Sequence, residues 1–206
     1  CAEEGSVRPK DGAARTADDS ERLEQELEKA SETRELIAIR DELAARAIER
    51  GVTPDQIRET AGDADAANAL LGLTPGEAQE RFERIGALVG ALHGRYPVLA
   101  EMAAREEPDC PVCDAEGLAL AWEHYSKTLP AVLEGSGALD GRGAIDRSGP
   151  FAAPMRPPLK CKMTQLTIGF GLCSVKSGGS MLFYSICAYG VFCSSCDGGI
   201  ADIICP

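Results

Sequence analysis

Residues 161–206 read CKMTQLTIGFGLCSVKSGGSMLFYSICAYGVFCSSCDGGIADIICP. Six of the chain's nine cysteines lie in this stretch, at 161, 173, 187, 193, 196 and 205. Its only charges are Lys162, Lys176, Asp197 and Asp202, and they cancel. The net charge of −12 therefore belongs to residues 1–160. Cysteine above roughly 8–10% in a short exported segment marks a disulfide scaffold. Such a small peptide buries too little surface to fold well alone, and cross-links offset that deficit. All pairings of the six tail cysteines remain open at this stage.

Two apolar runs, 164–172 and 181–192, flank Ser177-Gly178-Gly179-Ser180. Either a β-hairpin or a pair of short buried helices fits runs of this length. Threonine, tyrosine, phenylalanine and glycine tilt the choice slightly toward strand. The two runs hold more apolar surface than so small a scaffold hides, so part of it is expected to stay exposed for contact.

Working back from the tail, residues 134–160 contain Gly135, Gly137, Gly141, Gly143, Gly149, Pro150, Pro154, Pro157 and Pro158. That density suits a linker rather than helix or strand. Upstream, residues 18–133 predict an acidic helical domain. Ser20 is a candidate cap for a helix running to Arg50, with a weak point at Ala30–Arg34 and Gly51 as its stop. Thr53-Pro54 starts a second helix ended by Gly62, and a short one follows from Asp63 to Leu71. Thr74-Pro75-Gly76-Glu77 has capping-box spacing and predicts a helix to His93. Tyr96-Pro97 opens a helix to Arg105. Asp114 is placed to cap another to Leu129, bearing Leu118, Trp122 and Tyr125. Residues 1–17 suit a disordered tether. The expected fold is mainly α: an N-terminal helical domain, a Gly/Pro linker and a small disulfide-rich C-terminal module at 161–206, either a hairpin or short helices.

Composition narrows the function. Thirty-three acids against 21 bases argue against nucleic-acid binding, which needs a basic face. No run of 18 or more apolar residues is present. Cys1-Ala-Glu-Glu followed by a polar stretch resembles the tether of a mature bacterial lipoprotein, with lipid on Cys1 after removal of a signal peptide. Setting Cys1 aside leaves an even eight cysteines: Cys110, Cys113, Cys161, Cys173, Cys187, Cys193, Cys196 and Cys205. Even parity suits an exported, oxidised protein. The expected location is thus extracellular or in the cell envelope.

Cys110-Pro-Val-Cys113 has three readings. A redox pair lacks the βαβ context such motifs occupy. A tetrahedral zinc site would need His93 and His124, the only histidines, at spacings unlike usual fingers. A disulfide is preferred, so neither metal nor cofactor is expected. The hydroxyls among the tail cysteines also allow thioether bridging, which a lipoprotein-type start disfavours. No nucleophile elbow, phosphate loop, zinc-protease helix or dinucleotide fingerprint occurs, and an enzyme is not expected.

The stretch Cys161-Lys-Met-Thr…Gly171-Leu-Cys173…Ile186-Cys187…Phe192-Cys193-Ser-Ser-Cys196…Ile204-Cys205, behind an acidic helical part and a Gly/Pro linker, resembles halocin C8-type bacteriocin precursors. The resemblance implies a C-terminal antimicrobial effector released from an N-terminal carrier or immunity part. The partner it implies is a target-cell membrane or an envelope receptor. The competing expectation is a non-enzymatic surface lipoprotein whose disulfide-stabilised tail binds a partner or braces the protein.

Overall fold

The computed structural model describes residues 17–105, 114–135 and 158–205. The expected tether up to residue 16, the Cys110/Cys113 pair and residues 136–157 of the expected linker lie outside the described residues. Ten helices and one two-stranded ladder are described: α1 (Ala17–Lys29), α2 (Ser31–Glu49), α3 (Pro54–Glu59), α4 (Ala64–Leu70), α5 (Pro75–Arg95), α6 (Pro97–Arg105), α7 (Ala115–Gly135), β1 (Lys160–Cys161), α8 (Met163–Lys176), α9 (Met181–Ser195), β2 (Cys196–Asp197) and α10 (Ala201–Ile204).

Local chemistry accounts for the helix boundaries. α1 begins at Ala17, not after a Ser20 cap, with Asp18 and Asp19 facing the positive helix end. The break at Ala30 is a single residue in extended conformation, φ −63° and ψ 130°. Thr53 and Thr74 each close a full capping box, with Gln56 and Glu77 reaching back to the threonine N–H. Asp63 accepts from Ala66 N at 2.9 Å and Asp114 from Gly117 N at 2.6 Å. α7 continues through Pro130 to Gly135, past the expected end at Leu129.

α2 and α5 lie antiparallel and are laced by paired charges. Arg81 meets Glu42, Arg84 meets Glu35 and Arg95 meets Glu32, each through two guanidinium nitrogens. The hydrogen bond from Arg84 is the largest influence on Glu35 and holds its carboxyl below the usual carboxylate range. These pairs are exposed, so they fix the helix register more than they add stability.

The tail is helical, contrary to the tilt toward strand. Its strand content is the ladder Lys160↔Asp197 and Cys161↔Cys196. Gly178 (φ 58°) and Gly179 (φ 89°) adopt the left-handed conformation that reverses the chain between α8 and α9. Ser180 then caps α9 by accepting from Phe183 N at 3.2 Å. Gly169 lets the two helices touch, since a Cβ there would stand 2.2 Å from Val191 Cγ1. Residue preference for strand yields here to near-complete enclosure, which removes most of the need for a polar face.

That enclosure also corrects the expectation of exposed apolar surface. α8 packs on α1, α5 and α6, while α9 packs on α2, α4 and α7. Leu166, Ile168, Phe170, Met181, Leu182, Tyr184, Ile186, Ala188 and Tyr189 are all buried. They share one core with Leu27, Leu36, Leu43, Ile57, Ile85, Leu92, Leu99 and Trp122. Val175, near the turn, is the large apolar exception at 75% exposure.

Three disulfides close the tail on itself. Cys161–Cys196 spans 35 residues across the ladder, Cys173–Cys187 spans 14 between α8 and α9, and Cys193–Cys205 spans 12 from α9 to the segment after α10. Chain-entropy arguments rank them by loop length, at about 4, 3 and 3 kcal/mol. Replacing Cys161 and Cys196 together by serine is therefore expected to lower stability more than replacing Cys193 and Cys205. Denaturant unfolding of the two double variants measures that difference.

Candidate functional site

The side chains most heavily committed to one place are those by which the N-terminal helices hold the α8–α9 hairpin. Each end of the hairpin is gripped. At the start of α8 the preceding residue, Lys162, provides no side-chain cap. Glu24 of α1 supplies it instead, its carboxylate accepting from Met163 N, Thr164 N and Thr164 Oγ1. A carboxylate at a helix N-terminus satisfies free N–H groups and favours the dipole. At the reversal, Asn68 of α4 is 3% exposed. Its Nδ2 donates to Gly179 O at 3.1 Å and its Oδ1 accepts from Met181 N at 2.7 Å.

The middle of α9 rests on a buried charge. Arg40 of α2 is 2% exposed. Its guanidinium carbon lies 4.3 Å from the Tyr189 ring centre and 4.9 Å from that of Phe192. Its Nη2 meets Asp41 Oδ1 at 2.8 Å, and the same oxygen accepts from Tyr189 Oη at 2.7 Å. Ser185 Oγ donates to the Arg40 carbonyl at 3.1 Å. Burial is the largest influence on the Arg40 charge and opposes it, but the Asp41 carboxylate and the nearby tyrosines outweigh it. One nitrogen, Nη1, has no hydrogen-bond partner. A desolvated cation over two aromatic faces is a strong contact, and it is costly to leave uncovered by its carboxylate.

α7 supplies the last contacts. His124 Nε2 donates to Ile204 O at 2.8 Å, and Tyr125 Oη lies 3.9 Å from Cys193 Sγ. Tyr125 and Tyr189 rings pack with centres 5.6 Å apart.

The six tail cysteines predicted to be oxidised, Cys161, Cys173, Cys187, Cys193, Cys196 and Cys205, are brought together in pairs within the tail. Cys1, Cys110 and Cys113 fall outside the described residues. His93 and His124 sit on α5 and α7, and His124 is engaged by the Ile204 carbonyl. Among the described residues no three His, Cys, Asp or Glu side chains gather in a metal-binding group. No described helix is long and apolar enough to cross a membrane. A depression of about 260 Å³ beside the reversal is lined by Gly62, Asp63, Lys176, Ser177 and Phe183, among others. Its carboxylate, Asp63, is occupied as the α4 cap.

Glu24, Arg40, Asp41 and Asn68 were not singled out from sequence. Arg40 was the legible one: it interrupts the buried stripe Thr33, Leu36, Leu43, Ala47 at helical spacing. Chemically, the arrangement is a polar clamp around an apolar object. It presents binding groups and no nucleophile–base pair. No protein-family model, curated protein or solved structure matches the chain.

The clamp makes two measurable statements. Asp41→Ala leaves Arg40 buried without its carboxylate and is expected to cost about 3–5 kcal/mol, whereas Arg40→Met removes the charge and is expected to cost less. Denaturant unfolding of both variants orders them, and equal losses would contradict the account.

The second concerns alkali. Burial raises the phenols of Tyr125, Tyr184 and Tyr189, with nearby Arg40 opposing it in each case, and Tyr125 reaches about 12. Their contribution to stability is whole below the unfolded phenol value of about 10 and is lost as pH rises toward the folded values. Stability is thus expected to fall above about pH 10, with tyrosinate absorbance from these three rings appearing together with unfolding.

Proposed function

We propose that the chain is the exported precursor of a disulfide-rich, bacteriocin-like antimicrobial peptide. Its C-terminal segment is the effector, and its helical region is the carrier or immunity part. The observation that carries this reading is the placement of the cross-links. All three described disulfides join tail to tail, and none joins the tail to residues 17–135. One backbone cut between residues 136 and 157 therefore frees a covalently closed unit. What then holds it is a set of reversible contacts: Glu24, Arg40, Asp41, Asn68 and His124 on one side, α8, α9 and α10 on the other.

The division of charge fits the same division of labour. The acidic region supplies solubility, and the neutral tail supplies a surface that needs covering until release. Oxidised cysteines support an activity outside the cytosol, in the extracellular space or the envelope. The chemistry is binding and release, without catalysis or cofactor.

A second reading draws on the shared core. Leu36, Leu43, Leu92 and Trp122 pack in the same cluster as the tail's Phe170, Tyr184 and Ile186. A surface lipoprotein that uses its tail as a permanent structural module would also look like this.

Cleavage separates the two. The full chain, cut once between residues 136 and 157 with its disulfides intact, is expected to inhibit growth of bacteria related to the producer. Prior reduction should abolish inhibition, and excess helical fragment should lower it. A cut, oxidised protein inactive across a broad panel of related strains would favour the lipoprotein.

A further inference from the structure

We propose that the released α8–α9 hairpin takes a lipid bilayer as its partner, lying along the membrane plane with the helix faces now covered by α1, α2 and α4–α7 turned into the hydrocarbon. This rests on the precursor reading and names the partner that reading leaves open.

The case begins with charge. From Met163 to Ser195 the hairpin carries a single charged side chain, Lys176. α8 and α9 have apolar residues on every side, and most of them are buried. A helix without a polar face is at home in a protein core or in lipid. A protein receptor would surround an apolar centre with a polar, water-exposed rim. Four of the hairpin's hydroxyls are turned back on its own backbone, whereas those of Thr164, Ser185 and Tyr189 reach Glu24, Arg40 and Asp41 of the helical region. Ser174 Oγ donates to Gly171 O at 2.7 Å, Ser177 Oγ to Ser174 O at 3.0 Å and Ser194 Oγ to Val191 O at 2.9 Å, while Ser180 Oγ caps Phe183 N. That is the state a polar side chain needs in hydrocarbon, where no water satisfies it. Tyr184 Oη and Thr167 Oγ1 already sit buried with no hydrogen-bond partner.

Orientation follows from the ends. Helices of 14 and 15 residues are about 21–23 Å long, against about 30 Å of hydrocarbon. The hairpin is too short to span. Lys176 lies at the turn, and Lys160, Lys162 and Asp197 lie at the opposite end, all exposed. Charge at both ends and none between favours a hairpin lying flat, with both ends at headgroup depth and the apolar middle below it. The shortest piece such a cut releases, residues 158–206, carries three bases against two acids, so its partition depends only weakly on lipid charge.

The test uses the full chain with a specific protease site between residues 136 and 157, cut while oxidised. The cut protein is sedimented with vesicles of phosphatidylcholine alone or with phosphatidylglycerol added, at low and high salt, and without vesicles. The same sample is assayed for growth inhibition. Expected is the tail in the vesicle pellet and the helical fragment in the supernatant, with partition differing by no more than about tenfold across lipids and salts. A tail left in the supernatant while growth is inhibited overturns the lipid partner and leaves the precursor reading standing. A tail that pellets without vesicles, only with the helical fragment, or only with anionic lipid also overturns it. Partition without growth inhibition sustains the lipid partner and sinks the antimicrobial reading. Absence of both sinks the two together.

Discussion

Two adjoining helices with no polar face have to be enclosed, and the rest of the molecule is arranged by that requirement. α1, α2 and α4–α7 present their apolar stripes inward against α8 and α9. The acidic surface, the charged lacing between α2 and α5 and the capping boxes serve a shell whose interior is supplied by the C-terminal tail. Segregation of charge along the chain is therefore also segregation between outside and inside. Leu166, Phe170, Tyr184 and Ile186 provide the bulk that the leucine- and alanine-rich shell lacks.

Within that apolar interior the Arg40–Asp41 pair is the costly element. A cation at this depth is tolerated because Asp41 and two aromatic rings surround it, and one ring belongs to the same tyrosine that donates to Asp41. A hydrophobic side chain of similar size would bury with less penalty. What the charged pair adds is selectivity. A tail lacking Tyr189 would leave Asp41 short of a donor and Arg40 short of a face, so the seat discriminates among apolar helices that burial alone would accept.

Much of the shell was readable from sequence. Threonine–proline starts at 53 and 74, the acid three residues after Thr74 and the glycine stops act locally, so local reasoning finds them. The break at Ala30 showed as a fading stripe. The tail was harder. Runs such as Ile168–Leu172 and Met181–Phe192 are apolar at nearly all positions, Ser185 apart, so no period of 2 or 3.6 stands out in them. The deciding facts were long-range: Gly169 meeting Val191, and six neighbouring helices covering most of the hairpin. The grip on the hairpin was mostly illegible for the same reason. Glu24 and Asn68 look like ordinary surface polar residues until the residues 140 and 113 positions away arrive beside them. Only Arg40, a charge in an apolar stripe, left a signal in the sequence, and it was not read as a site.

The caps at Glu24 and Asn68 also bear on the order in which the molecule is made. A helix usually carries its own N-terminal cap, but α8 borrows one from a segment synthesised long before it. On a chain that emerges from its N-terminus, the acceptors for the tail's free N–H groups are in place when the tail appears. The helices that carry these acceptors are thus already made before the last six cysteines are exposed to oxidant. Closing contacts over such sequence distances is slow, and shell and tail complete one core together. Disulfide pairing is then decided by where each helix is seated, and not by which thiols collide first.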